Sequence, residues 1–151
     1  MSNFINLTNR SIIEVSGIDC KSFLQGLITN DINKASKENL IYAAMLNAAG
    51  RFLYDFFIFA NDEKLDEKPD EKLYLDCALS RRDEIIQKLN FYKLRAQVLI
   101  KKNDEIKIFH NFSQSGFVDP RHQNLGFRFY TKENLLNSTS DLSLYNFKRI
   151  S

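Results

Sequence analysis

An α+β fold with mixed or antiparallel sheets and packed helices is predicted by three features of this 151-residue chain. From residue 40 onward, apolar and aromatic runs of strand length outnumber helical repeats. A single strong helical stretch, near 80–94, interrupts them, so helices would lie on one face of a sheet. The five glycines, Gly17, Gly26, Gly50, Gly116 and Gly126, nowhere form the phosphate-cradling loop that opens a doubly wound parallel fold.

The elements follow in order. Ile12, Ile13 and Val15 within Ser11 to Ser16, closed by Gly17, predict a short strand. Asp19 then reads as the N-cap of a helix whose apolar face is Phe23, Leu24, Leu27 and Ile28. The runs Leu40 to Leu46 and Phe52 to Ala60, joined by Asn47-Ala48-Ala49-Gly50-Arg51, predict a hairpin with a permissive glycine in its turn. Asn61 to Lys72, acidic and lysine-rich around Pro69, reads as a solvated loop. Leu73 to Ala78 reads as a buried strand, and Ser80 with Asp83 three residues on predicts the start of a helix through about Leu94, with Ile85, Ile86, Leu89 and Tyr92 as its stripe. Ala96 to Ile100 and Glu105 to Phe112 read as two strands joined by the polar turn Lys101 to Asp104. Pro120 sets a turn at Val118 to His122, a strand is expected over Gly126 to Tyr130, and short helices over Thr131 to Leu136 and Leu142 to Ile150.

Composition excludes several classes. A chain 44% hydrophobic and 26% charged can bury one core. The formal charge of +2 gives too weak a field to gather polyanions, so nucleic acid is not an expected partner. No apolar run approaches the roughly 18–20 residues of a membrane span, and no signal peptide is read at the start, so no membrane partner is expected. Cys20 and Cys77, the only cysteines, suit a reducing compartment.

Chemistry-bearing residues are sparse. His110 and His122 stand in no metal-ligand spacing and read as structural, and no metal is expected. Cys20 and Cys77 read as small buried hydrophobes. The Phe127-Arg128-Phe129-Tyr130 run lacks a nucleic-acid signature and reads as core. Asp55 is the odd residue: an ionised acid inside an aromatic strand costs several kcal/mol if buried without partners, so it lies on an exposed face or is held for a purpose.

Four blocks in fixed order then matter together: Phe23-Leu24-Gln25-Gly26-Leu27-Ile28-Thr29-Asn30-Asp31-Ile32, Tyr42 through Asp55, Tyr92-Lys93-Leu94-Arg95-Ala96-Gln97-Val98, and Asp119-Pro120-Arg121 with Leu125-Gly126-Phe127-Arg128. They cover nearly the whole chain and resemble the amino-terminal half of the YgfZ/GcvT folate-binding family, which contains the glycine-cleavage aminomethyltransferase and folate-dependent iron-sulfur cluster proteins. The resemblance implies a GcvT-like fold with a ferredoxin-like, strand-rich subdomain at about 40–130, residues 1–39 and 131–151 contributing to an adjoining one. It implies tetrahydrofolate as cofactor, with Asp55 facing the pterin and Tyr42 lining its pocket, and with Thr29, Asn30, Asp31 and Asn47 as pocket support. A carboxylate can accept paired hydrogen bonds from pterin amino and ring N–H groups, and an aromatic ring supplies an apolar wall.

Gly50-Arg51 and Tyr54-Asp55 stand where the aminomethyltransferase branch carries Gly-Gly and Asp-Asp, which favours the iron-sulfur branch. That branch also bears a Lys-Gly-Cys-x-x-Gly-Gln-Glu motif in its later half, which Cys20 and Cys77 do not match. The implied function is folate binding in iron-sulfur cluster assembly or repair, with client or assembly proteins as partners, in the cytoplasm or, in a eukaryote, the mitochondrial matrix. Aminomethyl transfer and a shortened, noncatalytic interaction module are the alternatives.

Overall fold

In the computed structural model, the residues described are 4–61, 72–111, 116–121, 125–132 and 138–139. Their strands form two five-stranded sheets. Strands β1 (Phe4–Asn6), β2 (Arg10–Ser16), β3 (Ile41–Leu46), β4 (Phe52–Asn61), β5 (Lys72–Ala78), β6 (Leu99–Asn103), β7 (Lys107–Asn111), β8 (Phe117–Val118), β9 (Phe127–Thr131) and β10 (Ser138–Thr139) follow the chain, with helices α1 (Cys20–Gln25) after β2 and α2 (Arg82–Lys93) after β5. The first sheet runs β3-β4-β5-β2-β6 and is antiparallel throughout. The second runs β10-β1-β7-β9-β8, antiparallel except for the β1–β10 pair. The α+β class expected from the sequence is the observed one.

Period-two alternation decides the layering. Ile13 and Val15 of β2, Ala43 and Met45 of β3, Phe56 and Ile58 of β4, and Leu73 and Leu75 of β5 point to one side of the first sheet, where they pack with Cys20 and Leu24 of α1 and Ile85 and Leu89 of α2. Residues of opposite parity, Ile12, Phe57, Phe59 and Tyr74, meet Ile5, Leu7 and Ile108 of the second sheet's side in a separate core. The order is therefore helices, first sheet, second sheet.

Several local expectations are corrected. Helix α1 stops at Gln25, and Leu27 and Ile28 leave it: Ile28 forms a bridge with Met45 instead. Asp19 sits at the N-cap position but its side chain accepts no capping bond; its carboxylate takes the backbone N–H of Gln97 at 2.8 Å. Ser80 is not the cap of α2, which begins at Arg82 after a 3-10 turn over Leu79–Arg81, with Asp83 and Glu84 in its first turn favouring the dipole. The two strands expected on either side of a polar turn are present, but Lys101 to Asn103 belong to β6 and not to the turn, and the strands lie in different sheets: β6 pairs with β2, and β7 lies between β1 and β9. The strands of the 40–130 region are thus shared between the two sheets, and β2 joins the first sheet from before residue 40. The loop expected at 61–72, His122 and the helix expected over 142–150 lie outside the described residues or nearly so, as does 133–136, while Thr131 closes β9.

Candidate functional site

The β3–β4 register carries the site. Tyr42 pairs with Phe57 and Ala44 with Asp55. Tyr42, Asp55 and Phe57 therefore share the face that looks toward the second sheet. The Tyr42 hydroxyl donates to Asp55 Oδ2, and both side chains are half-buried. Asp55 also borders a recess of about 120 Å³ with Phe52, Leu53, Tyr54, Ala78, Arg81 and Ile85, which lies beside α2 and not on the face shared with Tyr42. That volume is below the roughly 300 Å³ at which whole small-molecule sites begin, so the recess is not by itself a ligand site.

Behind the pair stands a layer of cations and rings. Tyr42 and Phe57 lie 5.2 Å apart between ring centroids. The Arg121 guanidinium is 4.8 Å from the Phe57 ring centre and 5.9 Å from that of Tyr42; Arg128 approaches Phe57 from 4.2 Å. Cations over ring faces are attracted by the ring quadrupole. Arg121 is held by a two-pronged pair to Asp119, at 3.0 Å through Nε and 2.7 Å through Nη2, and its own backbone N–H donates to the same carboxylate. Asp119 is buried. Burial pushes its carboxyl upward, but the hydrogen bonds and charge of Arg121, with help from Arg128, more than reverse this and hold it below the usual range.

Deeper in the interface, Asp76 of β5 is fully buried and is met by two hydrogen-bond donors and a further cation. Arg10 donates through Nε at 2.8 Å, Tyr130 through its hydroxyl at 2.7 Å, and Arg128 forms an ion pair at 3.2 Å. Burial raises the Tyr130 phenol well above its ordinary value, and the adjacent Asp76 charge adds to this. His110 of β7 is buried beside this network; desolvation, then the charge of Arg128, lowers it to about 4, so it is neutral at physiological pH.

The pocket-support residues have assignable partners. Thr29 exchanges bonds with Ala44: its N–H donates to the Ala44 carbonyl and its Oγ1 accepts from the Ala44 N–H, both at 3.0 Å. Asn30 Nδ2 donates to the Tyr42 carbonyl at 3.0 Å, and Asp31 accepts from the Asn33 N–H to start a 3-10 turn. Thr29 and Asn30 brace the backbone of β3 beside Tyr42, while Asp31 bonds locally to the turn that follows it. Asn47 is placed elsewhere, in the hairpin turn, where its Oδ1 accepts from the N–H groups of Ala49 and Arg51, each at 2.9 Å.

Sequence reading of the residues passed over Asp76, Arg10, Arg128 and Tyr130, and gave Arg121 no role. The signal was present: Asp76 between Leu75 and Cys77, like Asp55, is an acid inside an apolar strand, and Arg128 is a cation between two phenylalanines. Among the described residues no group of three or more His, Cys, Asp or Glu could hold a metal ion, and Cys20 and Cys77 are buried. No helix among them is long and apolar enough to cross a membrane.

The architecture is that of the glycine-cleavage aminomethyltransferases. The crystal structure of glycine cleavage system aminomethyltransferase T from Bartonella henselae matches with a TM-score of 0.57 at 14% identity, covering 73% of this chain and 28% of that one. By sequence, the chain is similar to curated proteins named iron-sulfur cluster assembly factor IBA57 homolog, mitochondrial. The Aspergillus oryzae protein is 34% identical over 108 residues, 66% of this chain and 24% of its own length. Those of Neurospora crassa and Pyricularia oryzae are 34% and 30% identical over 76% and 86% of this chain, and 26% and 36% of theirs. The chain thus spans about a quarter to a third of the length of these relatives. No protein-family model matches it.

Proposed function

We propose that this chain acts in iron-sulfur cluster assembly as a tetrahydrofolate-binding protein, with Asp55 and Tyr42 as the groups that meet the pterin. Similarity to curated assembly factors over 66–86% of the chain supports the process, and the mitochondrial location in their names supports the matrix as the compartment in a eukaryotic cell. Assembly or client proteins are the partners this role requires. The fold supports the folate, since a glycine-cleavage aminomethyltransferase shares it.

The observation that carries the site is the Tyr42–Asp55 hydrogen bond on the inter-sheet face. Tyr42 occupies Oδ2, and among the described residues no other donor reaches Asp55, so Oδ1 can accept from a ligand N–H. A carboxylate fixed in this way fits a pterin edge, which offers adjacent amino and ring N–H donors. Tyr42 and Phe57 supply the apolar wall, and Thr29 and Asn30 hold that wall in place through the β3 backbone, with Asp31 fixing the turn beside them. Arg121 fixes the rings from behind. Bound tetrahydrofolate would supply one-carbon carrier chemistry, and the residues here bind and orient it. Residues about 40–130 would form its strand-rich platform.

Calorimetric titration with tetrahydrofolate tests the reading. The parent chain is expected to bind, Asp55→Asn to lose about tenfold or more in affinity, and Tyr42→Phe to lose less, because the ring remains when the hydroxyl goes. Absence of heat and of thermal shift with the parent chain would reject it.

A further inference from the structure

At the far end of β4 from Asp55, the sheets part to leave a second concavity of about 320 Å³, a volume within the range of small-molecule sites. Its floor is aromatic. Phe59 stacks on Tyr74 at 5.1 Å and 20°, and on Tyr130 at 4.2 Å and 27°, giving three nearly parallel rings, and Phe117 packs against Phe59 and Tyr130. The Tyr130 hydroxyl is turned inward to Asp76, so its ring and not its oxygen faces the cleft. Phe117 and Tyr130 remain half-buried, leaving apolar ring surface open to a visitor.

The rim is cationic. Lys37 and Lys132 line the cleft and, among the described residues, no carboxylate does, in a chain whose whole formal excess is +2. Lys37 is exposed and forms no ion pair among the described residues, while Lys132 reaches Glu105 only at 3.5 Å with both side chains largely in solvent, a pair worth little. An adjoining cleft shares Tyr74 and Lys132 and is of mixed charge, lined by Lys72, Lys101 and Lys102 and by Glu14, Asp104 and Glu105. Rings of this kind stack bases, whatever their identity. Lysines act on phosphate as point charges, whereas carboxylates are matched by the arginine fork, and no arginine among the described residues lines this cleft.

We propose that this aromatic, lysine-rimmed cleft binds a nucleoside monophosphate, its base against Phe117 and Tyr130 and its phosphate between Lys37 and Lys132. A single cleft on a nearly neutral chain suits a mononucleotide rather than a polynucleotide track. The site lies apart from Tyr42 and Asp55, neither of which lines it, so it stands or falls independently of folate.

The test is titration of the full chain with adenosine 5′-monophosphate, followed by calorimetry and by amide chemical shifts. Expected are saturable binding below about 1 mM, shifts centred on Phe117, Tyr130 and Thr131, and at least tenfold weaker binding of adenosine and of inorganic phosphate alone. Lys37→Glu with Lys132→Glu, both on exposed side chains, should weaken the nucleotide at least tenfold and leave tetrahydrofolate titration unchanged, and Asp55→Asn should leave the nucleotide unchanged. No binding at millimolar nucleotide, unaltered affinity in the double lysine variant, or shifts confined to other residues would overturn the site. Tighter binding of a single-stranded oligonucleotide than of the mononucleotide would overturn it in favour of a polynucleotide surface.

Discussion

On the helix-facing side of the first sheet, Ile13, Val15, Phe56, Ile58, Leu73 and Leu75 are buried with only a small hydroxyl, that of Ser11 bonded to Cys77, near them on the same strands. On the other side, the same three strands place Arg10, Asp55, Phe57 and Asp76 against Arg128, Tyr130 and His110 of the second sheet. The first layer needs only shape and hydrophobicity, which many sequences satisfy. The second needs each donor matched to an acceptor, because an unmatched buried charge costs several kcal/mol. Specific chemistry therefore collects where the sheets meet, and the helix side holds the platform still.

The strongest way to break this comparison is at Asp76. Asp76→Asn removes the charge facing Arg10 and Arg128 and should cost roughly 3–5 kcal/mol in denaturant unfolding, whereas Ile58→Val on the apolar side should cost only about 0.5–1.5 kcal/mol. Similar losses for the two would show that the network is not a matched one.

Next in size is an acid sensitivity that belongs to one layer alone. His110 faces Arg128, Asp119 and Arg121, and its folded value of about 4 lies below the ordinary 6.5. The unfolded chain takes up a proton below pH 6.5 while the folded one resists until about pH 4. Stability from this residue is therefore complete above 6.5 and declines as pH falls from 6.5 toward 4, by about 3 kcal/mol at most. Thermal melts across that window should show the decline in the parent and a shallower one in His110→Gln.

Arg121→Lys keeps a cation but not the two-pronged pair to Asp119 or the planar approach to Phe57. It should lower stability by about 1–2 kcal/mol and weaken tetrahydrofolate severalfold. A loss of stability with folate affinity intact would make Arg121 a brace for the sheets alone.

The legibility of these layers in the sequence was unequal. Periodicity gave the hairpin, β5 and α2, because alternation is local and each side chain's side follows from parity, whereas Tyr42 and Asp55 became pocket residues only through the family resemblance. It placed β6 too early, since the polar residues Lys101 to Asn103 read as a turn but pair with β2, and composition does not say which sheet receives the next strand. The apolar spacing at Leu27 and Ile28 continued past the end of α1 because Gln25 turns its side chain to the Ile32 N–H and the Asn30 carbonyl, starting the brace for β3 one turn early. The Asp76 network escaped because its members, Arg10, Asp76, Arg128 and Tyr130, are separated by more than fifty residues at nearly every step.

The smallest effect concerns the rim of the same hairpin and asks where the site ends. Gly50 has φ +78°, a left-handed conformation that costs a residue with a Cβ about 1 kcal/mol, yet a Cβ built there meets nothing within 4 Å. Gly50→Ala should therefore lower stability by about 1 kcal/mol through backbone strain alone, and the turn should persist because Asn47 still binds the Ala49 and Arg51 N–H groups. Tyr42 and Asp55 are anchored by Asn30, Thr29 and their own strand pairing, not by the turn, so tetrahydrofolate affinity should be unchanged. If affinity falls along with stability, the turn and Asn47 belong to the binding surface, and the division between platform and site must be redrawn to include the tip of the hairpin.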